Sequence, residues 1–441
     1  MNALLKIATR NVRSHWRHSL AALLSITAAY YSVNIFEGYL RDLGHVYETS
    51  YRERSMLGDL IIMDRESESA VGRGDPVAHS LDRAMQETVS AFITRHRDQI
   101  PASVRFLDLQ GTITNGSSSA IFISRSFDLL EGEKMRGELW RWNTLYGEPL
   151  DPKVESGRVA LGQLLGHLLE CDPNPKVHAI AMNGGYEPKN RPFVCKSNSF
   201  QVAVATDSGQ LNAMDFEVTG LVDVGYRDMD RRFVWMSLVD GQRLLNTDRI
   251  SYQTLMLRSP SDERSIIQAF KAEVGAKYPQ LQMIRWQDHP RFGEIYVRSM
   301  ELLSIFRNFV VTVIIVISSL AVFNTMTKSL SERTREIGTM QSLGFRKNHI
   351  RFLFGAESVL LACVGIAIGA GLTLFAEFAI NRAGIMYKAG FLSEPVPFKI
   401  DLGWQVAALS GVSLAALTLF ATLVACQKAL RKKIIECLHH V

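Results

Sequence analysis

Three catalytic signatures are missing from this sequence. There is no G-x-x-x-x-G-K-[ST] segment to cradle a nucleotide's phosphates. There is no H-E-x-x-H pair of zinc-binding histidines and no G-x-S-x-G turn to expose a serine nucleophile. Cysteine is scarce, with five residues in 441. Charge is missing from four long stretches, residues 19–36, 309–326, 358–375 and 402–426, which hold no Asp, Glu, Lys or Arg. Glu357 and Glu377 flank the third stretch. A polar channel through a membrane would need more ionisable groups than this.

What is present is apolar length. Each stretch suffices for a helix across a bilayer core, which takes about 17–25 residues. A backbone in lipid must bond to itself, so four spanning helices are predicted. Charged residues make up 21% of the chain, an ordinary figure that averages a soluble part with apolar helices. The net charge is +5, and basic residues cluster at helix ends. Lys6, Arg10, Arg13 and Arg17 precede the first stretch; Lys328, Arg333, Arg335, Arg346, Lys347 and Arg351 separate the second and third; Lys428, Arg431, Lys432 and Lys433 follow the fourth. This placement argues for the positive-inside rule and against nucleic-acid binding. Both termini are then cytoplasmic and residues 41–300 lie outside. The basic start and long apolar stretch, with no small-x-small cleavage site, predict an uncleaved anchor. Residues 2–16 place Leu4, Leu5, Ala8 and Val12 opposite Lys6, Arg10 and Arg13, as a helix lying on the inner leaflet would, or as a plain extension of the first span.

The expected order is therefore an amphipathic helix over 1–17, a first span over 18–40 and an extracytoplasmic α/β domain over 41–300. A second span over 301–327, a cytoplasmic coupling helix over 328–351 and a third span over 352–380 follow. A short outer loop over 381–401, a fourth span over 402–427 and a tail over 428–441 complete the chain. In the outer domain, β-rich arms flank Asn115-Gly116 within 106–127, a hairpin signal. Residues 200–205, 216–224 and 233–238 read as strands, and 81–97, 157–169 and 263–278 as helices. The element types interleave, which predicts two lobes.

Cys363 and Cys426 fall in the third and fourth spans and Cys437 in the tail, where small apolar filler is the expected role. Cys171 and Cys195 are the two cysteines of the outer domain, in a compartment that permits disulfides, with a turn-rich stretch between them. A bond closing that stretch is expected to contribute about 3–4 kcal/mol by constraining the unfolded chain. Cys171 and Cys195 with His167 or His178 match no common metal spacing, and no metal site is expected.

The link between the second and third spans reads TKSLSERTREIGTMQSLGFRKNHIR. Ser331 and Glu332 look like a helix start and Gly344 like a stop. Ser331, Glu332, Arg333, Arg335, Glu336, Ile337 and Gly338, with Met340 and then Leu343-Gly344, resemble the coupling segment of MacB/FtsX-type ABC transporter permeases. That family also places a Glu at the start of its third helix, where Glu357 stands, followed here by Gly365 and Gly369 at small-residue spacing. Residues 58–62 resemble the opening outer strand. Residues 216–225, with Asp230 and residues 240–245, are most similar to the lipoprotein-releasing branch, LolC and LolE. Two departures stand out: a cysteine-bearing segment over 166–199 replaces a short L-G-x-x-x-G-D stretch, and Gln341-Ser342 replace a small or apolar pair.

The resemblance implies a permease of a type VII, MacB/LolE-like transporter in the bacterial inner membrane. Two permeases, identical or homologous, would pair on a cytoplasmic ABC ATPase that binds ATP and magnesium; this chain would carry no cofactor and no enzymatic activity. ATP-driven closure would rock the helices and, by mechanotransmission, extract a lipoprotein or other amphiphile. A periplasmic adaptor or lipoprotein chaperone would be a further partner. Residues 328–344 would carry the ATPase contact. Tyr30, Tyr31, Val33, Asn34, Phe36 and Glu37 on the first helix, with Phe306, Phe309 and Val310 on the second, read either as an aromatic belt at the lipid interface or as an apolar substrate cleft. Glu357 reads either as a buried functional carboxylate or as the partner of Lys428 or another basic neighbour. An FtsX-like signalling subunit that activates a periplasmic partner is the alternative function, and a membrane sensor outside the ABC systems a third.

Overall fold

The computed structural model describes residues 16–69, 78–136, 144–154, 156–173, 192–206, 208–224, 227–387 and 396–430. Residues 1–15 of the surface helix expected over 1–17, most of the tail, Cys437 and His178 lie outside the described residues. In chain order the helices are α1 (Trp16–Thr49), α2 (Arg83–Arg95), α3 (Leu129–Met135), α4 (Gln163–Leu168), α5 (Arg227–Asp230), α6 (Leu238–Leu245), α7 (Glu263–Glu273), α8 (Gly293–Glu332), α9 (Thr334–Ser342), α10 (Lys347–Ala383) and α11 (Trp404–Ala429). The strands are β1 (Leu60–Asp64), β2 (Ala102–Thr114), β3 (Ser119–Phe127), β4 (Thr144–Gly147), β5 (Arg158–Gly162), β6 (Cys171–Pro173), β7 (Phe193–Cys195), β8 (Phe200–Ala205), β9 (Leu211–Val222), β10 (Phe233–Ser237), β11 (Tyr252–Met256), β12 (Leu281–Arg285), β13 (Met386–Tyr387) and β14 (Val396–Pro397). The chain forms two compact units. One, within Met1–Gly44, Met300–Ile385 and Phe398–Val441, is helical over its described residues; the other, within His45–Ser299 and Met386–Pro397, is mixed α/β over its described residues.

Among the described residues, four helices are long and apolar enough to cross a membrane, Leu20–Arg54, Gly293–Glu332, Lys347–Ala383 and Trp404–Lys428, and most of their length belongs to the helical unit. The large α/β domain stands between the first and second of them in the chain. These helices overrun the expected spans of 18–40 and 301–327, because hydropathy marks where lipid ends and not where helical hydrogen bonding stops. Small residues set the packing. A Cβ on Gly365 would lie 3.0 Å from Ile26 Cγ2, and one on Gly369 would lie 3.0 Å from Tyr30 Cδ1. The missing side chains let α1 and α10 close to backbone distance, and Thr27 Oγ1 donates to the Gly365 carbonyl at 3.1 Å. Ala22, Ile26, Val322, Met326, Phe354 and Ala425 join in one apolar cluster with Ile337 of α9.

The α/β unit is built on a ten-stranded sheet in the order β12-β1-β11-β2-β3-β10-β5-β9-β4, with β8 added to β2 and β9. The β2–β3 hairpin is its spine, paired from Phe106↔Phe127 to Thr114↔Ser119. Its turn forms as its residues dictate: Asn115 Oδ1 accepts the N–H of Ser117 and Ser118, at 3.0 and 2.6 Å, and Gly116 takes φ +90°. Because β2 is long, it pairs with β11 along one part and β8 along another. Two cores result. Leu60, Ile62, Val89, Phe92, Leu255 and Phe270 fill one, under α2 and α7. Phe122, Leu161, Leu165, Phe200, Val202 and Val234 fill the other, under α4.

One expected helix is wrong in part. Residues 157–169 do not form one helix: 158–162 are strand β5, and only Gln163–Leu168 is helical. Val159, Ala160 and Leu161 are fully buried and paired to β9 and β10, so sheet pairing overrides the local pattern. The switch comes at Gly162, where a Cβ would lie 2.2 Å from the Asp230 carbonyl. Asp230 then accepts the N–H groups of Gln163 and Leu164, at 3.1 and 2.9 Å, and so starts the helix. Burial of this carboxylate raises its pKa to about 6.

Cys171 and Cys195 are disulfide-bonded, directly opposite one another in the β6–β7 ladder. Glu170 beside them holds φ +59°. Its carboxylate accepts from Ser117 Oγ at 2.7 Å and Lys196 Nζ at 3.0 Å, which hold it below the usual carboxylate range. Asn115 Nδ2 donates to the Leu169 carbonyl at 2.8 Å. The bond therefore braces the tip of the β2–β3 hairpin. Replacing both cysteines by serine is expected to cost about 3 kcal/mol. Thermal unfolding of the oxidised chain, with and without reductant, checks this: the parent should lose stability on reduction and the double-serine variant should not.

His289 is 1% exposed. Its Nδ1 accepts the N–H of Arg291 at 3.2 Å and of Phe292 at 3.3 Å, so it is held neutral. Burial, then the nearby Arg291 and Arg125 guanidinium groups, push its pKa down to about 3. The unfolded chain takes up this proton near pH 6.5 and the native chain does not. The stability is fully present above pH 6.5 and is lost as pH falls from 6.5 toward 3. Between pH 7.5 and 5, His289→Gln should remove about 2 kcal/mol of the parent's loss, read as the difference between the two denaturation-midpoint curves.

Candidate functional site

The site begins where α8 stops. Arg333 leaves helical geometry at φ −98° and ψ 17°, a single residue between Glu332 and Thr334. Its N–H still donates to the Ser329 carbonyl at 3.2 Å, and its own carbonyl accepts from Ile337 at 3.1 Å. Both backbone groups of Arg333 therefore stay hydrogen-bonded across the break. Thr334 Oγ1 closes the bend on the Ser331 carbonyl at 2.6 Å. The far end of α9 is capped by Gly344 at φ +89°, where Phe345 N donates to Met340 O at 3.1 Å.

This short helix has two faces. Thr334, Ile337 and Gly338 are buried. Ser331, Glu332, Arg335, Glu336 and Gly344 are exposed, and Met340 is half-buried. Leu343 is 73% exposed and Phe345 43%. Two apolar side chains thus stand at the end of a charged helix. Phe345 was not among the expected coupling residues. Its signal was present in the sequence as an aromatic between Gly344 and a basic pair.

Arg333 behaves differently from the rest of the segment. Its side chain is 6% exposed, and that of Glu357 on α10 is 8% exposed. Arg333 Nη1 lies 3.0 Å from both carboxylate oxygens of Glu357, and Arg333 Nε lies 2.8 Å from Glu336 Oε2. The guanidinium also lies 4.9 Å from the centre of the Phe354 ring. Arg333 is therefore turned inward, away from the surface on which a docking residue would sit. Glu357 has its basic partner in Arg333 rather than Lys428, which is exposed. Removing one member of such a pair strands the other charge, which costs about 3–5 kcal/mol.

The expected cleft residues divide. Tyr30, Val33 and Asn34 are only 5%, 5% and 2% exposed. Tyr30 Oη donates to the Ala407 carbonyl at 3.3 Å; Asn34 Nδ2 donates to Tyr30 O at 2.8 Å and to Ser410 Oγ at 3.0 Å. These contacts seat α1 on α11 and occupy the Asn34 amide, which is not open to a head group in this chain. Phe306 and Phe309 are exposed, while Tyr31, Phe36, Glu37 and Val310 are intermediate. Phe36 and Phe306 meet edge to face at 6.2 Å, with Glu37 and Arg307 at 3.7 Å beside them. Among the described residues, no three His, Cys, Asp or Glu side chains are grouped to hold a metal ion.

Residues 308–434 match the FtsX-like permease C-terminal family. The chain is 29% identical over 146 residues to the macrolide export ATP-binding/permease protein MacB of Campylobacter jejuni, a match covering 30% of this chain and 23% of the relative. It is 36% identical over 81 residues to the ABC transporter permease YtrF of Bacillus subtilis, covering 18% of this chain and 19% of the relative. The aligned segments are thus less than a quarter of these relatives' own length. Among solved structures, the periplasmic region of MacB from Actinobacillus actinomycetemcomitans aligns at a TM-score of 0.33 and 11% identity, covering 58% of this chain and 98% of that one. The extracellular domain of the transporter YknZ from Gram-positive bacteria aligns at 0.32 and 10%, covering 51% and 98%. Among the described residues the chain thus has four helices of membrane-spanning length with a large α/β domain between the first two, the layout of a multi-pass membrane protein, and over residues 308–434 it is similar to the FtsX-like permease C-terminal family.

Proposed function

We propose that this chain is the permease subunit of a MacB/FtsX-type ABC transporter. A separate cytoplasmic ATPase drives it to extract or export an amphiphile, a lipoprotein in particular, from the outer leaflet or periplasm. The observation that carries this reading is α9. It is a short helix at the end of a membrane-length helix, inside the matched segment, with Arg335, Glu336, Leu343 and Phe345 displayed on its surface. An ATPase groove would take Leu343 and Phe345 as apolar anchors and Arg335 as a charged contact.

In this reading both termini and α9 face the cytoplasm and the α/β domain faces outward, as the basic clusters direct. The permease acts as a pair, with a second copy or a homologous chain. Work reaches the cargo through movement of the helices, since the apolar stretches carry no charged lining for a pore. Exposed Phe306 and Phe309, with Phe36 behind them, form the part of the expected cleft that faces lipid or acyl chains. Each buried CH₂ of a chain contributes about 0.8 kcal/mol there. The lipoprotein cargo rests on the likeness of residues 216–225 to the lipoprotein-releasing permeases. A chaperone or adaptor on the outer side completes the assembly.

Leu343→Asp and Arg335→Glu should each reduce co-purification of the partner ATPase at least tenfold, the loss expected for a buried anchor contact worth about 1.4 kcal/mol or more. Membrane insertion should be unchanged. Full ATPase recovery with both variants would overturn α9 as the contact.

A further inference from the structure

Arg333 is the residue at which α8 and α9 part, and it is also the most deeply engaged charge in the coupling segment. A one-residue break in a helix is a place where an applied push can be absorbed as bending. Here the side chain at the break is fastened elsewhere. Its guanidinium spans from Glu336, one turn along α9, to both oxygens of Glu357, near the start of α10. The pair is buried, the Arg333 guanidinium lies over the Phe354 ring, and the deeper face of α9 is closed by Ile337, 1% exposed. Glu357 is thus joined to α9 at a point eleven residues into α10, well past its exposed first turn.

We infer that the Arg333–Glu357 ion pair, with Glu336, is the anchor that fixes α9 to α10. Arg333 and Glu357 are then positioning residues that do not touch an ATPase. The inference rests on the permease reading for its purpose: force delivered to the exposed face of α9 enters α10 and is not lost in flexing at residue 333. The anchor itself needs no partner protein to be tested. An apolar contact could hold the helix against the bundle, but it would let the helix roll; a forked guanidinium bound to two carboxylates fixes its rotation as well.

The test uses the full-length chain in lipid nanodiscs. Hydrogen exchange is followed at the α9 amides and, as an internal control, at the buried stretch of α10 beyond residue 361. Arg333→Met and Glu357→Gln should each speed α9 exchange about tenfold, with the control unchanged, as release of a local unit requires. The double variant should be no faster than either single variant, since both remove the same link. The exchanged pair, Arg333→Glu with Glu357→Arg, should bring α9 back to within about threefold of the parent. Arg333→Lys, which keeps the charge without the fork, should give about a threefold effect and guards against a variant that fails to fold. In the co-purified permease–ATPase complex, Arg333→Met should keep the ATPase bound while abolishing the ATP-dependent change in distance between spin labels at Phe378→Cys of the two copies. Unchanged α9 exchange in Arg333→Met and Glu357→Gln would overturn the anchor. If no ATPase co-purifies with the parent chain, the permease reading falls, and α9 exchange still decides the anchor.

Discussion

Every backbone group inside a bilayer has to be satisfied by the backbone itself, and this constraint shapes the whole chain. It turns four stretches into unbroken helices and strips them of charge. Chemistry and recognition are pushed into what lies between them. The helical unit is consequently packed by size more than by polarity, with Gly365 and Gly369 admitting Ile26 and Tyr30 to near contact. Against that background a buried arginine and glutamate at the end of a helix stand out, because placing them there is costly unless they hold each other.

The α/β unit meets a different constraint, the need to keep a wide sheet in register. The β2–β3 hairpin serves it by pairing without a break from Phe106 to Thr114 and by lending β2 to two neighbouring sets of strands. Local polar devices then set the exact ends of the elements. Asn115 shapes the hairpin turn, Asp230 starts α4, and Ser237 caps α6 through the Asp240 N–H at 3.1 Å. The disulfide adds covalent support at the hairpin tip, where Glu170 links Ser117 to Lys196. The polar cluster of Asp108, Arg125, Arg291 and Tyr252 gathers around Phe292, whose ring lies 4.3 Å from the Arg125 guanidinium and 4.7 Å from that of Arg291. Burial raises the Tyr252 hydroxyl far above its ordinary range, so it stays protonated and can donate toward Asp108.

Within residues 331–345, exposure separates the side chains of one short stretch into two sets. Arg335, Leu343 and Phe345 are displayed; Arg333 is spent inside. Sequence spacing treats these arginines alike, two positions apart in an S-E-R-T-R-E stretch. Arg333 stands at the break before α9 and Arg335 inside it, and the packing of α9 on α10 decides which of the two is buried. The same logic divides the aromatic first helix. Tyr30 and Asn34, four residues apart, share the face turned to Ala407 and Ser410, whereas Phe36 meets Phe306.

The sequence by itself determined the four helices, their order around an α/β domain, the hairpin at Asn115-Gly116 and the pairing of the two outer cysteines. Each follows from a local property: apolar length, turn chemistry, or the presence of just two candidates for a bond. Only the tertiary structure decided that residues 158–162 are a strand, that Glu357 answers Arg333 across 24 positions, and that Tyr30, Val33 and Asn34 face inward. These outcomes depend on which surfaces meet. A strand needs its neighbours, a buried charge needs a partner brought from elsewhere in the chain, and neither is written in the residues that surround it.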